Sequence, residues 1–394
     1  MARQKSDALK ERPVTISIDV RHGLGSFEID AAFESKGRLT ALFGPSGSGK
    51  TTLVNIVAGL IRPREGRVVV DGRVLVDTAA RVVVPFHRRR IGYVFQDARL
   101  FPHLSVRRNL DYGRRLTPVR ARYADFGKVV DLLGIGHLLD RRPDGLSGGE
   151  KQRVAIGRAL LASPRLILMD EPLASLDDAR KAEIMPYVER LRDELKIPIV
   201  LVSHSVAEVA RLATDMVVLD KGRVVAAGPL NDVLQRLDLL PEDQRGEGGS
   251  VLEMTLAGHD ETFAMTLLHS PAGEIRIPRT DAIGAGDVVR VRVRARDVMI
   301  ATEPPRGLSA LNVIPGTILA LSAAGHSLFD VSVDCGGQSI LARITRQSVH
   351  VLGLRVGQPV FAVVKTVSFD TVGTPRIPTS GDRTGVALPD APLK

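Results

Sequence analysis

Hydrophobic and polar positions in the N-terminal part of the chain predict alternating strands and helices. Short apolar runs bounded by turn-forming residues predict buried strands at 39–43, 91–95, 166–169 and 197–202. After the first run, i, i+3, i+4, i+7 spacing predicts an amphipathic helix whose apolar stripe is Leu53, Ile56, Val57 and Leu60. Continuous apolar strands that alternate with helices are typical of a mostly parallel sheet, so an α/β domain is expected here.

Period-two patterns predict further strands around this alternation. One half-exposed strand is predicted at 14–20, with a partner near 27–31. Two β-rich runs around Asp-Gly predict a hairpin at 66–76, and a similar pattern predicts a last hairpin at 216–225.

Helical spacing and charge predict the remaining elements of this domain. Residues 98–145 mix arginines with spaced leucines and valines, which predicts a small helical insertion. Helices are predicted at about 151–162 and 178–195, the second kinked or begun late at Pro186. The basic run 87–90 is expected to be a solvated face.

The pattern changes where the first domain, predicted to span 14–240, ends. Residues 241–250 are rich in glycine and charge and predict a linker. Short period-two runs then predict an all-β barrel domain at 251–375. The polar chain ends, 1–13 and 376–394, are expected to be disordered.

Composition narrows the classes of function. Hydrophobic residues make up 44% of the 394 residues, enough for sizeable cores; aromatic residues make up only 4%, so base-stacking platforms for single strands are scarce. The single cysteine, Cys335, excludes an intramolecular disulfide and suits a reducing compartment. No apolar run reaches membrane-spanning length and no signal-peptide core is present, so a cytoplasmic protein is expected. The net charge of +9 suits nucleic acid, an anionic membrane face or an anionic ligand alike.

A glycine-rich loop at 44–51 joins the first buried strand to the first helix, which predicts a phosphate-binding loop. Its glycines let backbone N–H groups turn around an anion, and the helix dipole adds positive potential. Lys50 supplies a charge for the outer phosphates and the Thr51 hydroxyl can bind Mg²⁺. His22 or Phe27 is a candidate to stack on the base, although Phe27 suits the core equally well. The nucleotide-binding candidates at this loop are Gly44, Pro45, Ser46, Gly47, Ser48, Gly49, Lys50, Thr51 and Thr52.

Polar residues follow the C-terminal ends of three further predicted strands. Gln96 ends the strand at 91–95, Asp170 and Glu171 end the strand at 166–169, and His204 follows the strand at 197–202. Ligands of open parallel sheets bind at this edge. Together with the glycine-rich loop, these side chains are therefore expected to form one site.

The chemistry of ATP hydrolysis assigns each of these residues a role. Asp170 is placed to hold Mg²⁺ with Thr51, directly or through water, and Gln96 either completes the Mg²⁺ shell or orients the attacking water. Glu171 is the candidate catalytic base that polarises this water. His204 is expected to hydrogen-bond an oxygen of the γ-phosphate.

A second candidate anion site lies at Ser147, where a helix begins. Ser147 is predicted to cap this helix, and Gly148 and Gly149 leave its N-terminal amides open. The site follows the helical insertion, about one sub-domain away from the first loop. A symmetric dimer would allow these residues of one chain to cover the γ-phosphate held by the other chain.

Six segments, in order, resemble the P-loop, Q-loop, signature, Walker B, D-loop and H-loop of ABC-transporter ATPases: 44–51, Gln96, 146–150, 169–171, 174–177 and His204. The resemblance covers roughly residues 14–235. It implies a RecA-like core with a helical sub-domain, and a head-to-tail homodimer that encloses two ATP molecules. It also implies that Glu171 is the base and that Asp177 acts across the dimer interface.

The same resemblance implies partners and a location. The helical insertion near 101–105 would dock on two integral-membrane permease subunits, which are separate chains. A periplasmic or extracellular binding protein would deliver the transported anion to them. The chain itself would then be peripheral, on the cytoplasmic face of the cell (inner) membrane, and no nucleic acid partner is implied.

The C-terminal third resembles the Mop domain of molybdate-handling proteins over 307–373, notably at 307–316. The segment 92–103 of the first domain is also similar to the ATPase subunit of molybdate importers. Leu311 stands where the Mop pattern often has a basic residue, so the resemblance does not assign oxyanion binding to this barrel. Ser309 and Asn312 either donate to an oxyanion or cap turns.

Three classes of function follow from these observations. The leading hypothesis is an importer ATPase for an oxyanion, with molybdate ahead of sulfate and tungstate. A soluble ABC ATPase acting on ribosomes or DNA is a second class, but neither a second cassette nor a long coiled-coil insertion is present. In the third class the β-barrel carries the main function, as an oxyanion store or sensor.

Overall fold

A computed structural model of the chain describes residues 15–195, 197–280, 284, 286, 288–366 and 369–372. Residues 1–13 and 376–394, the ends that are predicted to be disordered, lie outside the described residues. The N-terminal domain contains one sheet, whose strands are β1 (Ile16–Leu24), β2 (Phe27–Ser35), β3 (Leu39–Phe43), β4 (Glu65–Val70), β5 (Arg73–Asp77), β6 (Val82–Val83), β7 (Ile91–Val94), β8 (Leu166–Asp170), β9 (Ile199–Ser203), β10 (Asp215–Asp220) and β11 (Arg223–Pro229).

This sheet has 11 strands in the order β6-β5-β4-β1-β2-β11-β10-β3-β9-β8-β7. The strands β10, β3, β9, β8 and β7 pair in parallel, and every residue of β3 and β9 is buried. The remaining strands pair antiparallel with their neighbours, except that β11 pairs in parallel with β2. They include the predicted hairpin β4–β5, and β10–β11 form the other predicted hairpin. The predicted α/β class is confirmed.

Eight helices of the described residues belong to this domain: α1 (Lys50–Ala58), α2 (Phe86–Arg89), α3 (Val106–Leu116), α4 (Phe126–Leu133), α5 (Gly148–Leu161), α6 (Asp178–Glu194), α7 (Val206–Leu212) and α8 (Leu230–Leu234). The first ends earlier than its apolar stripe predicts. Gly59 takes a left-handed conformation with φ +86° and caps α1, which is typical of glycine at this position. Leu60 therefore lies outside the helix and is 56% exposed.

The basic run at 87–90 is a solvated face only in part, because His87 and Arg88 are exposed whereas Arg89 is buried and Arg90 is half-buried. Arg89 is 3% exposed, and its guanidinium donates to the carbonyls of Ile56 and Val57 at 2.8 Å each and to Val84 at 2.8 Å. The carbonyls of Ile56 and Val57 belong to the last turn of α1, and carbonyls in the last turn of a helix have no N–H partner within the helix. Arg89 is buried because it satisfies them, and its burial lowers its pKa.

Helix α6 is not begun late at Pro186, contrary to one of the two predictions. Asp177 caps its N-terminus by accepting a hydrogen bond from the backbone N–H of Arg180 at 2.9 Å. The helix continues through Pro186 because Ile184 and Val188 on either side are buried in the core. Packing of this apolar face compensates for the hydrogen bond that proline cannot make.

The helical insertion packs against α5. Leu110 of α3 and Leu133 of α4 are fully buried in one hydrophobic cluster with Ile156 of α5. A Cβ on Gly157 would lie only 2.8 Å from a methyl group of Leu110, so glycine permits this close approach. Three 3-10 helices complete the insertion, at Val119–Ala121, Gly136–Leu138 and Pro143–Gly145.

The C-terminal domain is all-β, as predicted. Its strands are β12 (Gly249–Asp260), β13 (Met265–Ser270), β14 (Gly273–Pro278), β15 (Val288–Arg294), β16 (Val298–Ala301), β17 (Asn312–Ala324), β18 (Leu328–Cys335), β19 (Gln338–Thr345), β20 (Pro359–Val364) and β21 (Phe369–Val372), with one short helix, α9 (Arg346–Val351). They form two five-stranded sheets, β14-β13-β12-β15-β21 and β16-β20-β17-β18-β19. Side chains from both sheets share one hydrophobic cluster.

Residues 241–250, which are predicted to be a linker between the domains, have regular local structure. They contain a 3-10 helix, Glu242–Glu247, and the beginning of β12, where Ser250 is fully buried. Val251 and Leu341 of the C-terminal domain belong to the same hydrophobic cluster as Leu234 of α8. The connecting segment is therefore ordered by packing between the two domains, which its glycine-rich composition conceals.

Asn312 does not have free donors for an oxyanion. It is 1% exposed; its side-chain oxygen accepts from the N–H of Arg276 at 2.7 Å, and its Nδ2 donates to the carbonyl of Arg276 at 3.0 Å. This pair of bonds joins β17 to β14 of the other sheet. Ser309 and Leu311 are exposed.

Candidate active site at the edge of the parallel sheet

The parallel pairing brings the predicted strand-end residues to one edge of the sheet. Phe43 lies opposite Ser203 on the neighbouring strand, and Asp170 lies opposite Val202. The glycine-rich loop 44–51 follows Phe43 directly, and His204 follows Ser203. Because neighbouring parallel strands end at the same edge, these groups share one crevice.

The loop at 44–51 has a backbone that requires glycine at defined positions. Gly44, Gly47 and Gly49 have φ values of +151°, +78° and +100°. A Cβ on Gly44 would lie 2.1 Å from the carbonyl oxygen of Leu219, so no side chain fits there. Helix α1 begins at Lys50 with no side-chain cap, which leaves its first amides to an anion.

Lys50 is 5% exposed and folded against the loop. Its Nζ donates to the carbonyls of Gly44 and Pro45, both at 2.8 Å, and lies 3.5 Å from the hydroxyl of Ser48. Burial lowers the pKa of Lys50, while the charges of Glu171 and Asp170 raise it. An ammonium has three N–H donors, and these three oxygen contacts match that number.

Asp170 and Thr51 lie in contact, as an Mg²⁺ site would require. The Thr51 hydroxyl donates to Oδ1 of Asp170 at 3.2 Å, and the Tyr93 hydroxyl lies 3.1 Å from Oδ2. Burial raises the pKa of Asp170, although hydrogen bonds from Tyr93 and Thr51 oppose this. Burial and the charge of Asp170 also raise the pKa of Tyr93.

Tyr93 is a contact of the site that sequence reasoning missed. Its hydroxyl also lies 3.2 Å from Oδ1 of Asn55, on α1. Its ring stacks on Phe95 at a centroid distance of 4.2 Å. The sequence predicts that Tyr93 lies in a buried strand. Because side chains alternate between the two faces of a strand, its position along the strand was the signal for the face of the sheet on which it lies.

Glu171 and His204 face each other. Oε1 of Glu171 lies 3.5 Å from Nδ1 of His204, and their side chains are 26% and 53% exposed. Glu171 has a left-handed backbone with φ +48°, and its N–H donates to the carbonyl of Val202 at 3.1 Å. A non-glycine residue in this conformation is strained, which is typical of functional positions held by their surroundings.

A network below His204 holds its loop. The Ser203 hydroxyl donates to Oε2 of the buried Glu208 at 2.7 Å and accepts from the N–H of Ser205 at 3.0 Å. Lys181 of α6 lies 3.0 Å from Oε1 of Glu208. This network joins the helix that Asp177 caps to the loop that carries His204, and no pattern in the sequence predicts it.

Gln96 is the metal candidate for which the structure describes no contact with Thr51 or Asp170. It is exposed and lines a cavity of about 490 Å³ together with Lys151, Gln152 and Ser175. Within the part of the chain that the structure describes, no hydrogen bond joins Gln96 to Thr51 or Asp170. Its roles as an Mg²⁺ ligand and as a water-orienting residue stay predictions.

Ser147 begins α5 with a capping box. Its hydroxyl accepts from the N–H of Glu150 at 3.2 Å, and its own N–H donates to Oε2 of Glu150 at 2.8 Å. These bonds, the backbone bond first, lower the pKa of Glu150. Ser147 is exposed and Gly148 is half-buried against Leu176.

The two aromatic candidates for base stacking share one sheet face. His22 pairs with Ile29 and Phe27 pairs with Leu24, so all four point to the same side. Ring and methylene carbons of Phe27 and Ile29 lie 3.3 Å from the position of a Cβ on Gly49. Phe27 is therefore next to the phosphate-binding loop, while His22 lies further along the same face.

The described residues contain neither a cluster of metal-ligating side chains nor a membrane-spanning helix. Over the described residues, no cluster of three or more His, Cys, Asp or Glu side chains has the arrangement of a metal site. Any Mg²⁺ site at Thr51 and Asp170 would therefore depend on further oxygen ligands. No described helix has the length and hydropathy needed to cross a membrane.

Comparisons with known proteins cover both domains. The profile of the ABC transporter family matches residues 32–174, and that of the TOBE domain matches residues 308–369. The molybdenum import ATP-binding protein ModC of Mesorhizobium japonicum is 67% identical over 361 residues, covering 92% of this chain and 97% of that protein. ModC of Rhizobium meliloti is 57% identical over 355 residues, covering 90% and 99%. ModC of Rhizobium etli is 54% identical over 357 residues, covering 91% and 100%.

Proposed function

The chain belongs to the family of ABC-transporter ATP-binding subunits, and from this premise we propose that it drives molybdate import by hydrolysing ATP in a closed homodimer. As a member of this family, it binds ATP and is an ATPase. The similarity to ModC proteins over about nine-tenths of the chain supports molybdate as the cargo, ahead of sulfate or tungstate.

The observation that carries the proposal is the convergence of Lys50, Asp170, Glu171 and His204 at one sheet edge. Lys50 and the open amides of α1 hold the outer phosphates of ATP. Residues 44–52 surround these phosphates, and the glycines among them have no side chain that would obstruct the anion. Phe27, beside Gly49, is the better placed of the two rings for the base.

The donors present fit a magnesium ion. Thr51 and Asp170 offer a hydroxyl and a carboxylate oxygen within 3.2 Å of each other, and Mg²⁺ prefers oxygen ligands. Bound there with the phosphates, Mg²⁺ would neutralise charge that develops during phosphoryl transfer. Gln96 would add a further oxygen ligand.

Glu171 and His204 carry out the chemical step on the γ-phosphate. Glu171 accepts a hydrogen bond from the attacking water and orients it. Its carboxylate takes up the proton as the water oxygen bonds to the γ-phosphorus, while the bond from that phosphorus to the β–γ bridging oxygen breaks and ADP leaves with the electron pair. His204, 3.5 Å from Glu171, donates to a γ-phosphate oxygen. The strained backbone at Glu171 holds its carboxylate in one direction.

The dimer supplies what one chain lacks. At the start of α5, Ser147 is exposed, Gly148 is half-buried and Gly149 is buried. Asp177 is 59% exposed at the start of α6. In a head-to-tail homodimer these residues cover the γ-phosphate held by the partner chain. ATP then joins the two chains, and its hydrolysis releases them.

Two integral-membrane permease subunits receive this motion through the helical insertion. Tyr112 and Leu116 of α3 are 46% and 74% exposed, which suits a docking surface. A binding protein outside the membrane delivers the oxyanion to the permease. The chain is then peripheral on the cytoplasmic face of the inner membrane.

Replacing the proposed base tests this mechanism. Glu171→Gln removes the carboxylate that takes up the proton but preserves size, so kcat for ATP is expected to fall by about 10²- to 10⁴-fold. ATP affinity should stay within a few-fold, and the variant should form a stable dimer with ATP in light scattering. Glu65→Gln, at an exposed residue of β4, is the matched control and should behave like the wild type. Normal turnover by Glu171→Gln would exclude Glu171 as the base.

The cargo is tested in the assembled transporter. In vesicles that contain this chain, its permease subunits and the binding protein, ATP should drive uptake of molybdate but not of sulfate. The same vesicles with Glu171→Gln should bind ATP and take up nothing. Equal uptake of sulfate and molybdate would contradict the proposed cargo while leaving the ATPase mechanism intact.

A further inference from the structure

We propose that Gln244, in the segment that connects the two domains, is a positioning residue for His204. Gln244 lies in the 3-10 helix Glu242–Glu247, outside every motif of the ATP site. The inference rests on the proposed function, since it gives Gln244 a role only if His204 contributes to hydrolysis. It identifies a residue some 40 positions away in sequence that fixes the geometry of the γ-phosphate contact.

The carboxamide of Gln244 makes hydrogen bonds to the backbone at His204 and again two residues later, at Val206. Its Nε2 donates to the carbonyl of His204 at 2.9 Å, and its Oε1 accepts from the N–H of Val206 at 3.0 Å. Val206 is the first residue of α7, so this oxygen also satisfies an amide that the helix leaves unpaired. One side chain therefore determines the path of the backbone from the end of β9 into α7.

The 3-10 helix that carries Gln244 is itself fixed to the C-terminal domain. Glu247, at its end, lies 3.0 Å from Nη2 of Arg292 and 3.1 Å from Nε of Arg294, and Arg296 lies 3.3 Å away. Arg292 also donates to the backbone carbonyl of Glu247. Burial raises the pKa of Glu247, but the bonds and charges of Arg294 and Arg292 lower it on balance.

His204 depends on its backbone for its position. Its side chain is 53% exposed, and the polar contact described for its ring is the one to Glu171 at 3.5 Å. A side chain with so few contacts is placed mainly by its main chain. A displacement of about 1 Å at a catalytic group can cost about 10²-fold in rate, so a backbone clasp at this residue has a measurable effect.

The other side of the loop is held by a different set of bonds. Ser203, Glu208 and Lys181 fix the backbone just before His204 and the body of α7 from inside the domain. Gln244 contributes the bonds that come from outside the domain. Removing it should therefore loosen the His204 carbonyl and the first amide of α7 while β9 and α7 stay folded.

The test compares Gln244→Ala and Gln244→Glu in the full-length chain. Gln244→Ala loses both hydrogen bonds and should lower kcat by about tenfold, with KM for ATP within about twofold. Gln244→Glu keeps the acceptor for Val206 but places a carboxylate oxygen against the His204 carbonyl, so kcat should fall as well. Asp243→Ala, at an exposed neighbour in the same 3-10 helix, is the control and should leave kcat unchanged.

A double-mutant cycle separates positioning from general stability. His204→Ala should itself lower kcat, and adding Gln244→Ala to it should cause no further loss, because the residue acts through the imidazole. Circular dichroism and thermal unfolding verify that the variants are folded. Normal kcat in Gln244→Ala, or the same tenfold loss in the His204→Ala background, would overturn the proposal. A wild-type rate in His204→Ala alone would instead refute the role of His204 in the proposed function.

Discussion

The two glycine-bearing helix starts, at α1 and at α5, have opposite environments. Helix α1 begins without a side-chain cap, and the ammonium of Lys50 is buried at its first turn. Helix α5 begins at the exposed Ser147 with a capping box, and Glu150 supplies a negative charge in its first turn. A helix N-terminus attracts anions in both cases, but only α1 has a cation and open amides together.

This difference indicates which site can act alone. The start of α1 is expected to bind phosphate within one chain, because the proposed contacts all belong to residues 44–52 of that chain. At α5, the hydroxyl of Ser147 and the carboxylate of Glu150 already satisfy two backbone amides. Such a site adds little affinity by itself and contributes when a nucleotide held elsewhere is brought to it. One helix start therefore binds the ligand, and the other is expected to detect that it is bound.

Removing the cation at α1 should have the largest effect. Lys50→Ala deletes the buried ammonium, and both ATP affinity and kcat/KM are expected to fall by at least about 100-fold. Isothermal titration with ATP and steady-state ATPase assays measure the two losses. Lys36→Ala, at an exposed lysine, is the control. ATP binding by Lys50→Ala at wild-type affinity would remove the distinction between the two helix starts.

Blocking the start of α5 should abolish dimerisation but leave ATP binding by the single chain nearly unchanged. Ser147→Arg places a long cation where the partner's phosphates are expected to arrive, so kcat should fall by about 10- to 100-fold while single-chain ATP affinity changes less than about threefold. In the Glu171→Gln background, Ser147→Arg should prevent formation of the ATP-dependent dimer that light scattering is expected to detect. Ser322→Arg, at an exposed serine of β17, makes the same chemical change elsewhere. An intact dimer with Ser147→Arg would mean that α5 does not face the partner's nucleotide.

Neutralising Glu150 should have the smallest effect, a small loss of stability. The direction in which this loss changes with pH follows from the pKa of Glu150. The pKa of Glu150 is lowered in the folded chain, so its carboxylate stabilises the fold above the ordinary value of 4.5 and loses this effect as pH falls through the folded pKa. Glu150→Gln preserves the capping acceptor and should cost about 0.5 kcal/mol at pH 7, or about 1–2 °C in Tm. At pH 4 and below, the difference in Tm from the wild type should shrink. A difference that grows on acidification would contradict the assignment.

Local pattern predicted much of the fold and of the candidate site. The α/β class, both hairpins and the all-β second domain followed from periodicity, which reports burial directly. Asp170, Glu171 and His204 were predicted to meet because parallel strands end at one edge, and they do lie there. The roles assigned to them await the experiments above.

Contacts between distant segments could not be predicted in the same way. Arg89 belongs to a run of four basic residues, and nothing in that run distinguishes the one that closes the end of α1. Gln244 lies in a glycine-rich, charged stretch whose composition is typical of a linker. Asn312 matches an oxyanion motif yet binds the backbone of Arg276. In each case the partner lies more than 30 residues away, and a pattern that repeats every two to four residues does not encode it.

The guanidinium of Arg89 at the far end of α1 has a consequence for the electric field along that helix. Its positive charge neutralises the carbonyl end permanently, because an arginine stays protonated in proteins. The opposite end gains a polyanion when nucleotide arrives and loses it when product departs. The change in potential during a turnover is therefore largest at the first turn, within reach of Thr51 and Asp170, while the charge at the opposite end of the helix stays constant.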